Sequence, residues 1–274
     1  MMITGVALAL AAVVLAVVVV VLGRSWQPRE RDVAWVAGAG TVPADEATVI
    51  SRYLGRHRRH RVIGGFLGVV IAGVAEVRVH DQASLPVLML GGITGVLVGA
   101  LSAESFRLAV RSASQTTAVA SLEPRDPAPS PGVVAGARGL LGVSAAGAGA
   151  ISLWAGDTLP LWFVAGGLLV TALAEVTRSR IVGRRRPVLS FRARELDARL
   201  RAFAGRSVAW LQLATSLLVD GGVVALVPST GAPEPLRGVL DTGRLVILLL
   251  TFVCAIVALH RAAPRPPYFW RQPT

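Results

Sequence analysis

Residues Arg178–Arg206 read RSRIVGRRRPVLSFRARELDARLRAFAGR, and ten of these 29 positions are arginine. Long apolar runs lie on both sides of this stretch. Guanidinium groups in such number are too costly to place in a hydrocarbon core. The stretch therefore lies in water or among lipid headgroups, and it predicts a basic loop between two membrane spans.

The overall composition points to the same class of protein. The chain has 274 residues, of which 53% are hydrophobic and only 16% charged, too few for the polar surface of a soluble domain. A net charge of +12 is compatible with nucleic-acid binding. The excess of arginine in the cytoplasmic connectors of a membrane protein explains the same charge, so we expect no nucleic-acid partner. The single cysteine, Cys254, lies in an apolar run and excludes an intrachain disulfide or a Cys-based zinc site.

Seven stretches approach the roughly 20 apolar residues that a spanning helix needs. They are Ile3–Leu22, Val62–Val79, Leu85–Ala103, Gly139–Trp154, Leu159–Val176, Ser207–Val227 and Val239–His260. The fourth, which is short and rich in glycine and alanine, has the least defined ends. No basic residue precedes the first, and arginines follow it, so we expect a retained anchor over residues 1–22 rather than a cleaved signal peptide.

Arginine is distributed very unevenly between the two faces of such a bundle. The connectors 24–61, 107–138, 178–206 and 261–274 fall on one side and carry 25 arginines, whereas Arg78, Arg237 and Arg244 fall on the other. Basic residues accumulate in cytoplasmic connectors, so the amino terminus is predicted outside and the carboxyl terminus inside. We therefore predict an all-α polytopic bundle of seven transmembrane helices, a single transmembrane domain over 1–274, in a bacterial cytoplasmic membrane.

After the anchor, the chain resembles one unit used three times. The predicted hairpins are 62–106, 139–176 and 207–260, and the units run about 70 residues in one orientation. Chance similarity between helices rich in Ala, Gly and Leu is the alternative. The first two hairpins end in Glu-x-x-Arg, namely Glu104 with Arg107 and Glu175 with Arg178. Residues three apart share a helix face, so each pair either neutralises a helix end or contacts a lipid or protein partner.

Amphipathic helices are predicted ahead of the second and sixth spans. The first, 43–61, begins with Asp45 and Glu46 in its first turn and ends in the basic run 56–61, which we expect to lie on the anionic inner leaflet. Its apolar edge is formed by Val49, Tyr53 and Leu54.

The second amphipathic helix, 187–204, has an apolar seam with a/d spacing. The ion pairs Glu195–Arg199 and Asp197–Arg201 accompany it, with the acid first. The seam packs on the membrane surface, on helix 43–61 of the same chain, or on another protein. Its residues are Leu189, Ala193, Leu196, Leu200 and Phe203.

The remaining connectors are rich in proline. The stretch 112–131 is predicted as an irregular linker. The tail 261–274 contains Tyr268, Phe269 and Trp270, which suit an interfacial anchor or a short peptide for a partner groove.

Asp220 is the one charged residue well inside a predicted span. Unpaired and ionised it would cost at least ~2.5 kcal/mol at mid-bilayer, so it needs a partner, a proton or water. Arg244 enters the next span at a similar depth, and Glu76 lies at a comparable depth in the second span. One hypothesis is an outward-facing pocket of Glu76, Asp220, Asp241 and Arg244 that binds a substrate or a proton. The other is a structural Asp220–Arg244 ion pair.

Small residues recur every fourth position in the first hairpin. Gly91, Gly95 and Gly99 lie in the third span, and Gly64 and Gly68 in the second. Such spacing lets two helix backbones approach closely, either inside the hairpin or across a dimer.

No catalytic motif accompanies these features. There is no GxxxxGK[ST], HExxH or Gly-x-Ser-x-Gly, so neither an enzyme nor a cofactor or metal site is expected. Two functional classes remain. One is the membrane subunit of a transport complex energised by a separate cytoplasmic ATPase, as in an ABC transporter. The other is a membrane scaffold or regulatory subunit, with another protein or a second copy as its partner.

Overall fold

The computed structural model is all-helical over the residues that it describes, which are 28–38, 41–80, 85–109, 130–183, 191–227 and 234–263. The predicted anchor Ile3–Leu22, most of the linker 112–131 and the tail beyond residue 263 lie outside these ranges. The helices are α1 (Glu30–Ala37), α2 (Ala44–His80), α3 (Leu85–Ala109), α4 (Pro131–Ala155), α5 (Leu159–Gly183), α6 (Phe191–Ala225) and α7 (Glu234–Ala262).

Five of these helices, α2, α4, α5, α6 and α7, are long and apolar enough to cross a membrane. Helix α3 carries a shorter apolar stretch, Val87–Ala103. The chain is therefore an integral multi-pass membrane protein, and the prediction of a membrane helix bundle is confirmed at that level. The total of seven spans and the orientation stay predictions.

Two helices extend well beyond the length of a single span. Residues 43–61 and the second predicted span form one continuous helix, α2, and the second amphipathic helix is continuous with the sixth span in α6. With 37 and 35 residues, they are each roughly 50 Å long at 1.5 Å per residue. No proline interrupts either helix, so the helical hydrogen bonding continues across the change from polar to apolar sequence.

The fourth span is longer than its sequence suggested. Helix α4 begins at Pro131, a position whose backbone N–H has no helical partner, so proline costs no hydrogen bond there. It ends at Ala155, with Gly156 as its C-cap. The φ of +69° at Gly156 is in the left-handed region that glycine tolerates.

Helix α6 is the central element of the bundle. It packs on α3, α4, α5 and α7, and its amino-terminal part packs on α1. Helices α4 and α5 each contact α6 more extensively than they contact each other, so the three predicted hairpins do not occupy equivalent positions. The main apolar core joins α3, α5 and α6 through Leu97, Val170, Ala174, Val208 and Leu211.

Helices α2 and α3 are held in backbone contact by glycine. A Cβ placed on Gly64 would overlap the Gly95 carbonyl oxygen, and one on Gly68 would overlap that of Gly91. A Cβ on Gly99 would likewise overlap the His60 carbonyl oxygen. The predicted close approach is thus confirmed, and it lies inside the first hairpin.

Candidate functional site

A small core forms where the amphipathic stretches meet. We call it the amphipathic unit; it consists of α1, residues 44–61 of α2 and residues 195–206 of α6. Leu196, Leu200 and Phe203 of α6 belong to this core, and Trp35 of α1 packs edge-on to Phe203 with 5.6 Å between ring centroids. Of the three surfaces open to the seam of α6, the same chain supplies the contact: α6 packs on α1, and helix 43–61 contributes residues to the same small core. The fully packed members are Val33, Val36, Ile50, Tyr53, Leu54 and Leu200.

Two details of the predicted apolar edges differ from the structure. Val49 is exposed, and Ile50 is fully buried in its place. Ile50, Tyr53 and Leu54 are spaced i, i+3, i+4 and therefore form one stripe, which Val49 flanks. The side chains of Leu189 and Ala193 lie outside the described residues.

Helix α1 is fixed to α2 by a buried ion pair. Arg58 Nη2 donates to Asp32 Oδ2 at 2.6 Å, and both side chains are at least nine-tenths buried. Asp32 Oδ2 also accepts the backbone N–H of Arg29 at 3.0 Å, which caps α1. The helix was not predicted, although an acid three residues after the N-cap residue Arg29 and Gly38 at its end, with φ +63°, are the signals that mark it.

The ion pairs predicted along α6 are both present. Arg199 Nη2 donates to Glu195 at 2.6 Å, and Arg201 pairs with Asp197. Arg199 also donates to the Ala37 carbonyl oxygen at the end of α1. The two ion pairs lie within α6, whereas the hydrogen bond to Ala37 connects α6 to α1.

Arg61 joins three helices at the boundary between the amphipathic unit and the spans. Its Nη1 donates to the Ala262 carbonyl oxygen at 2.5 Å, and its Nη2 donates to Ser207 Oγ. Ser207 Oγ in turn donates to Ala262 O at 2.6 Å. Ala262 is the last residue of α7, whose terminal carbonyls lack helical partners and carry the negative end of the helix dipole. We call these three residues the Arg61 node.

The prediction that the basic run 56–61 faces lipid is therefore wrong for two of its arginines. Arg58 and Arg61 are both buried and contact protein groups, whereas Arg59 is exposed. A run of basic residues on a helix points in all directions at 100° per residue, so some of it must face the neighbouring helices. Nothing in the run itself marks which arginines those are.

A second polar cluster joins α4, α5 and α6. Glu175 Oε1 accepts from Arg138 Nε at 2.9 Å and Nη2 at 2.6 Å, and Glu175 Oε2 accepts from Arg178 Nη2 at 2.7 Å. Gln212 Nε2 donates to Glu175 Oε1 at 3.1 Å. We call these four residues the Glu175 cluster. The predicted Glu175–Arg178 contact is present, but the glutamate also joins its helix to two others; the side chains of Glu104 and Arg107 lie outside the described residues.

Asp220 is partly exposed and faces α4. Its Oδ1 accepts from Ser144 Oγ at 3.1 Å, and that hydroxyl also lies 3.0 Å from the Leu140 carbonyl oxygen. No ion pair joins Asp220 to Arg244.

The predicted Asp220–Arg244 pair is therefore wrong. Arg244 Nη2 lies 3.4 Å from Asp241 Oδ1 on its own helix, and Arg244 Nη1 donates to the Val227 carbonyl oxygen at 3.3 Å. Helix α7 meets α6 beside Gly221, where a Cβ would lie 3.0 Å from Thr251 Oγ1. Thr251 is seven residues from Arg244, or roughly 10 Å along the helix, so the two charges differ in depth as well as direction.

Of the four residues of the predicted outward-facing pocket, Asp241 and Arg244 are in contact on α7. Glu76 is on α2, which packs on α3 and α1. Asp220 is on α6 and faces α4.

Sequence reasoning missed a polar stripe on α6. Gln212, Ser216 and Asp220 are four residues apart and so share one face of the helix. Gln212 and Ser216 are fully buried. The signal that could have found the stripe is the four-residue spacing of polar residues within an apolar span.

Comparison with protein-family models, with curated proteins and with solved structures finds no match to this chain. The contacts of the amphipathic unit, the two polar clusters and Asp220 are therefore the basis for functional inference. Within the described ranges, no group of three His, Cys, Asp or Glu residues is placed to hold a metal ion.

Proposed function

We propose that this chain is the membrane subunit of a transport complex, energised by a separate cytoplasmic ATPase that docks on the amphipathic unit. The supporting observation is that α2 and α6 each run unbroken from that unit into the apolar bundle. A helix transmits displacement along its axis because its backbone hydrogen bonds are continuous. Movement of the unit by a partner would therefore reach α6, the central helix.

The Arg61 node strengthens this coupling. It lies where the unit meets the spans, and it joins α2 and α6 to the end of α7. Charge-assisted hydrogen bonds are stronger and more directional than neutral ones. Three helices would therefore respond together when the unit is displaced.

The docking face is a basic stripe on the outer side of α2. Val49, Arg52 and Arg59 are all exposed and are spaced three and seven residues apart, which places them on one face. An exposed apolar side chain beside arginines suits a partner surface with an apolar centre and acidic rim.

The test is whether an ATPase accompanies the chain and depends on this stripe. The full chain is purified from its native membrane in mild detergent, and ATP hydrolysis is measured across the eluted peak. We expect activity to co-elute with the wild type and to be lost with the double variant Arg52→Glu/Arg59→Glu. The matched control is Arg78→Glu, an exposed arginine at the opposite end of the same helix. Co-elution that survives the double variant, or a wild-type peak without ATP hydrolysis, contradicts the proposal.

A membrane scaffold or regulatory subunit is the second candidate, and the glycine contacts of α2 with α3 favour it. Backbones in direct contact make a rigid pair with little freedom to slide. A scaffold should co-purify with a partner that lacks ATPase activity, and Asp220→Asn should then change thermal stability alone.

A further inference from the structure

The stripe on α6 connects the two polar sites of the bundle core. At its inner end, Gln212 donates to Glu175 at 3.1 Å, and at its outer end Asp220 accepts from Ser144 at 3.1 Å. Eight residues separate Gln212 from Asp220, or roughly 12 Å along the helix axis. Ser216 lies midway, and its hydroxyl donates to the Gln212 carbonyl oxygen at 3.2 Å.

Two buried atoms beside this stripe have no protein partner among the described residues. One is Gln212 Oε1, on a side chain that is fully buried, and the other is Thr171 Oγ1 on α5. Thr171 precedes Glu175 by four residues, so it lies one turn further along the same face of α5, in the direction of Asp220. Buried amide oxygens and hydroxyls are almost always hydrogen-bonded, and where protein offers no partner an ordered water does.

We propose that bound water occupies the core between α4, α5 and α6 beside Gln212 and Thr171, and that it gives Asp220 access to protons from the side of the Glu175 cluster. The ligand of the site is water, and the species transferred is a proton. A hydronium ion at the membrane surface loses the proton, and the Asp220 carboxylate gains it. The path needs only α4, α5 and α6, so it does not depend on a cytoplasmic ATPase.

The charges around Asp220 favour such a role. The one charged residue of α4 is Arg138, and the charges of α5 are in its last third, around Glu175 and Arg178. On α7, Asp241 and Arg244 contact each other near the opposite end of the bundle. Among the described residues, the group that donates to Asp220 is therefore the neutral hydroxyl of Ser144 and not an arginine.

The apolar residues beside the stripe limit its width. A Cβ on Gly167 of α5 would meet Val219 of α6 and Leu141 of α4, so these helices pack closely between the two polar sites. Water is thereby confined to the polar face, which fits a narrow proton path and not an open aqueous pore.

The water site is tested with two isosteric variants of buried threonines. Thr171→Val removes the unpartnered hydroxyl, and Thr215→Val is the control, because Thr215 Oγ1 donates to the Leu211 carbonyl oxygen at 3.0 Å within its own helix. We expect Thr171→Val to lower the Tm of the full chain in lipid nanodiscs, because the bound water loses a partner. A dry site predicts the opposite sign, since deleting an unsatisfied hydroxyl leaves the Tm unchanged or raises it, and that result overturns the water site.

Proton access is tested by reacting Asp220 with dicyclohexylcarbodiimide, which adds to protonated carboxyl groups in apolar surroundings. Inverted membrane vesicles expose the cytoplasmic face, so its pH is lowered while the lumen is held constant, and the modification of Asp220 is quantified by mass spectrometry. We expect a severalfold rise in the wild type and in Thr215→Val, and loss of the rise in Gln212→Leu. Thr171→Val, which keeps the side-chain volume, replaces Gln212→Leu if that variant does not fold.

Two outcomes overturn the proton path. One is a modification of Asp220 that does not change with the pH of the cytoplasmic face. The other is a Gln212→Leu variant, folded by its Tm, that responds as the wild type does. Neither outcome bears on ATPase docking, which is measured by co-elution.

Discussion

Arg61 of α2 and Ala262 at the end of α7 are joined by a hydrogen bond of 2.5 Å from the guanidinium to the terminal carbonyl oxygen. These residues are 201 positions apart in the chain. Arg61 thus satisfies a carbonyl that α7 cannot satisfy itself, and it does so from within the protein, where few water molecules compete. The contact fixes one end of α7 to the boundary between the spans and the amphipathic unit.

Replacing Arg61 with Met tests the node. The substitution keeps much of the side-chain volume and removes the donors to Ala262 and Ser207, so we expect a loss of about 2–3 kcal/mol in the free energy of unfolding. Arg59→Met is the control, because Arg59 is exposed, and it should change stability by no more than about 0.5 kcal/mol. Unfolding in a denaturing detergent titration measures both. Equal effects of the two variants would show that the node is not a stabilising contact.

Arg58→Met tests the attachment of α1. Removing one partner of a buried ion pair leaves the Asp32 carboxylate without its cation, which typically costs about 3–5 kcal/mol. We expect the loss to fall mainly on α1, where amide hydrogen exchange of residues 30–37 should accelerate and Trp35 fluorescence should shift to longer wavelength. The double variant Asp32→Ala/Arg58→Met should recover part of the stability. Unchanged exchange in α1 would contradict the assignment.

Gly95→Ala and Gly142→Ala should change stability in opposite directions. A Cβ at Gly95 meets the Gly64 carbonyl oxygen, so α2 and α3 must separate, at a cost of about 1–3 kcal/mol. A Cβ at Gly142 of α4 meets nothing within 4 Å, and alanine is the better helix former by about 0.5–1 kcal/mol. The Tm values of the two variants give the comparison. A Gly95→Ala variant with unchanged Tm would contradict a direct backbone contact between α2 and α3.

The sequence was sufficient to predict the membrane bundle and the amphipathic character of its two long polar stretches. Apolar runs near 20 residues long have few alternatives to a spanning helix, and an a/d seam needs an apolar partner. The surface on which the seam of α6 packs could not be predicted, because Leu200 and Phe203 suit lipid, another protein or the chain's own Tyr53 equally well. The structure places α1 against α6 and brings residues of α2 into the same core.

The sequence was insufficient where the direction of a side chain matters. Asp220 and Arg244 agree in depth when residues are counted from the connectors, but each residue turns the helix by about 100°, and helix tilt changes depth. Arg58 and Arg61 are likewise indistinguishable from Arg59 by composition, because their burial depends on distant residues such as Ser207.

Glu175→Gln should destabilise the bundle more than Glu195→Gln. Glu175 accepts hydrogen bonds from three helices, and losing its charge weakens those from Arg138 and Arg178, so we expect about 1–2 kcal/mol. Glu195 pairs with Arg199 on an exposed helix face, where such a pair contributes about 0.3–0.5 kcal/mol. The free energies of unfolding of the two variants are compared under the same conditions. A smaller effect at Glu175 would mean that its arginines find water or lipid phosphate as an equal partner.

Double-mutant cycles distinguish Ser144, the observed partner of Asp220, from Arg244, the partner predicted from its depth in the next span. Asp220→Ala combined with Ser144→Ala should show a coupling of about 0.5–1.5 kcal/mol, since the Ser144 hydroxyl donates to the Asp220 carboxylate and alanine removes the acceptor. Asp220→Ala combined with Arg244→Gln should be additive within about 0.5 kcal/mol, because Arg244 contacts Asp241 and the Val227 carbonyl in place of Asp220. The reverse pattern, with coupling to Arg244 and none to Ser144, would require α6 to be rotated relative to α4 and α7. The stripe from Gln212 to Asp220 would then no longer face Thr171, and the proposed route for a proton would be lost with it.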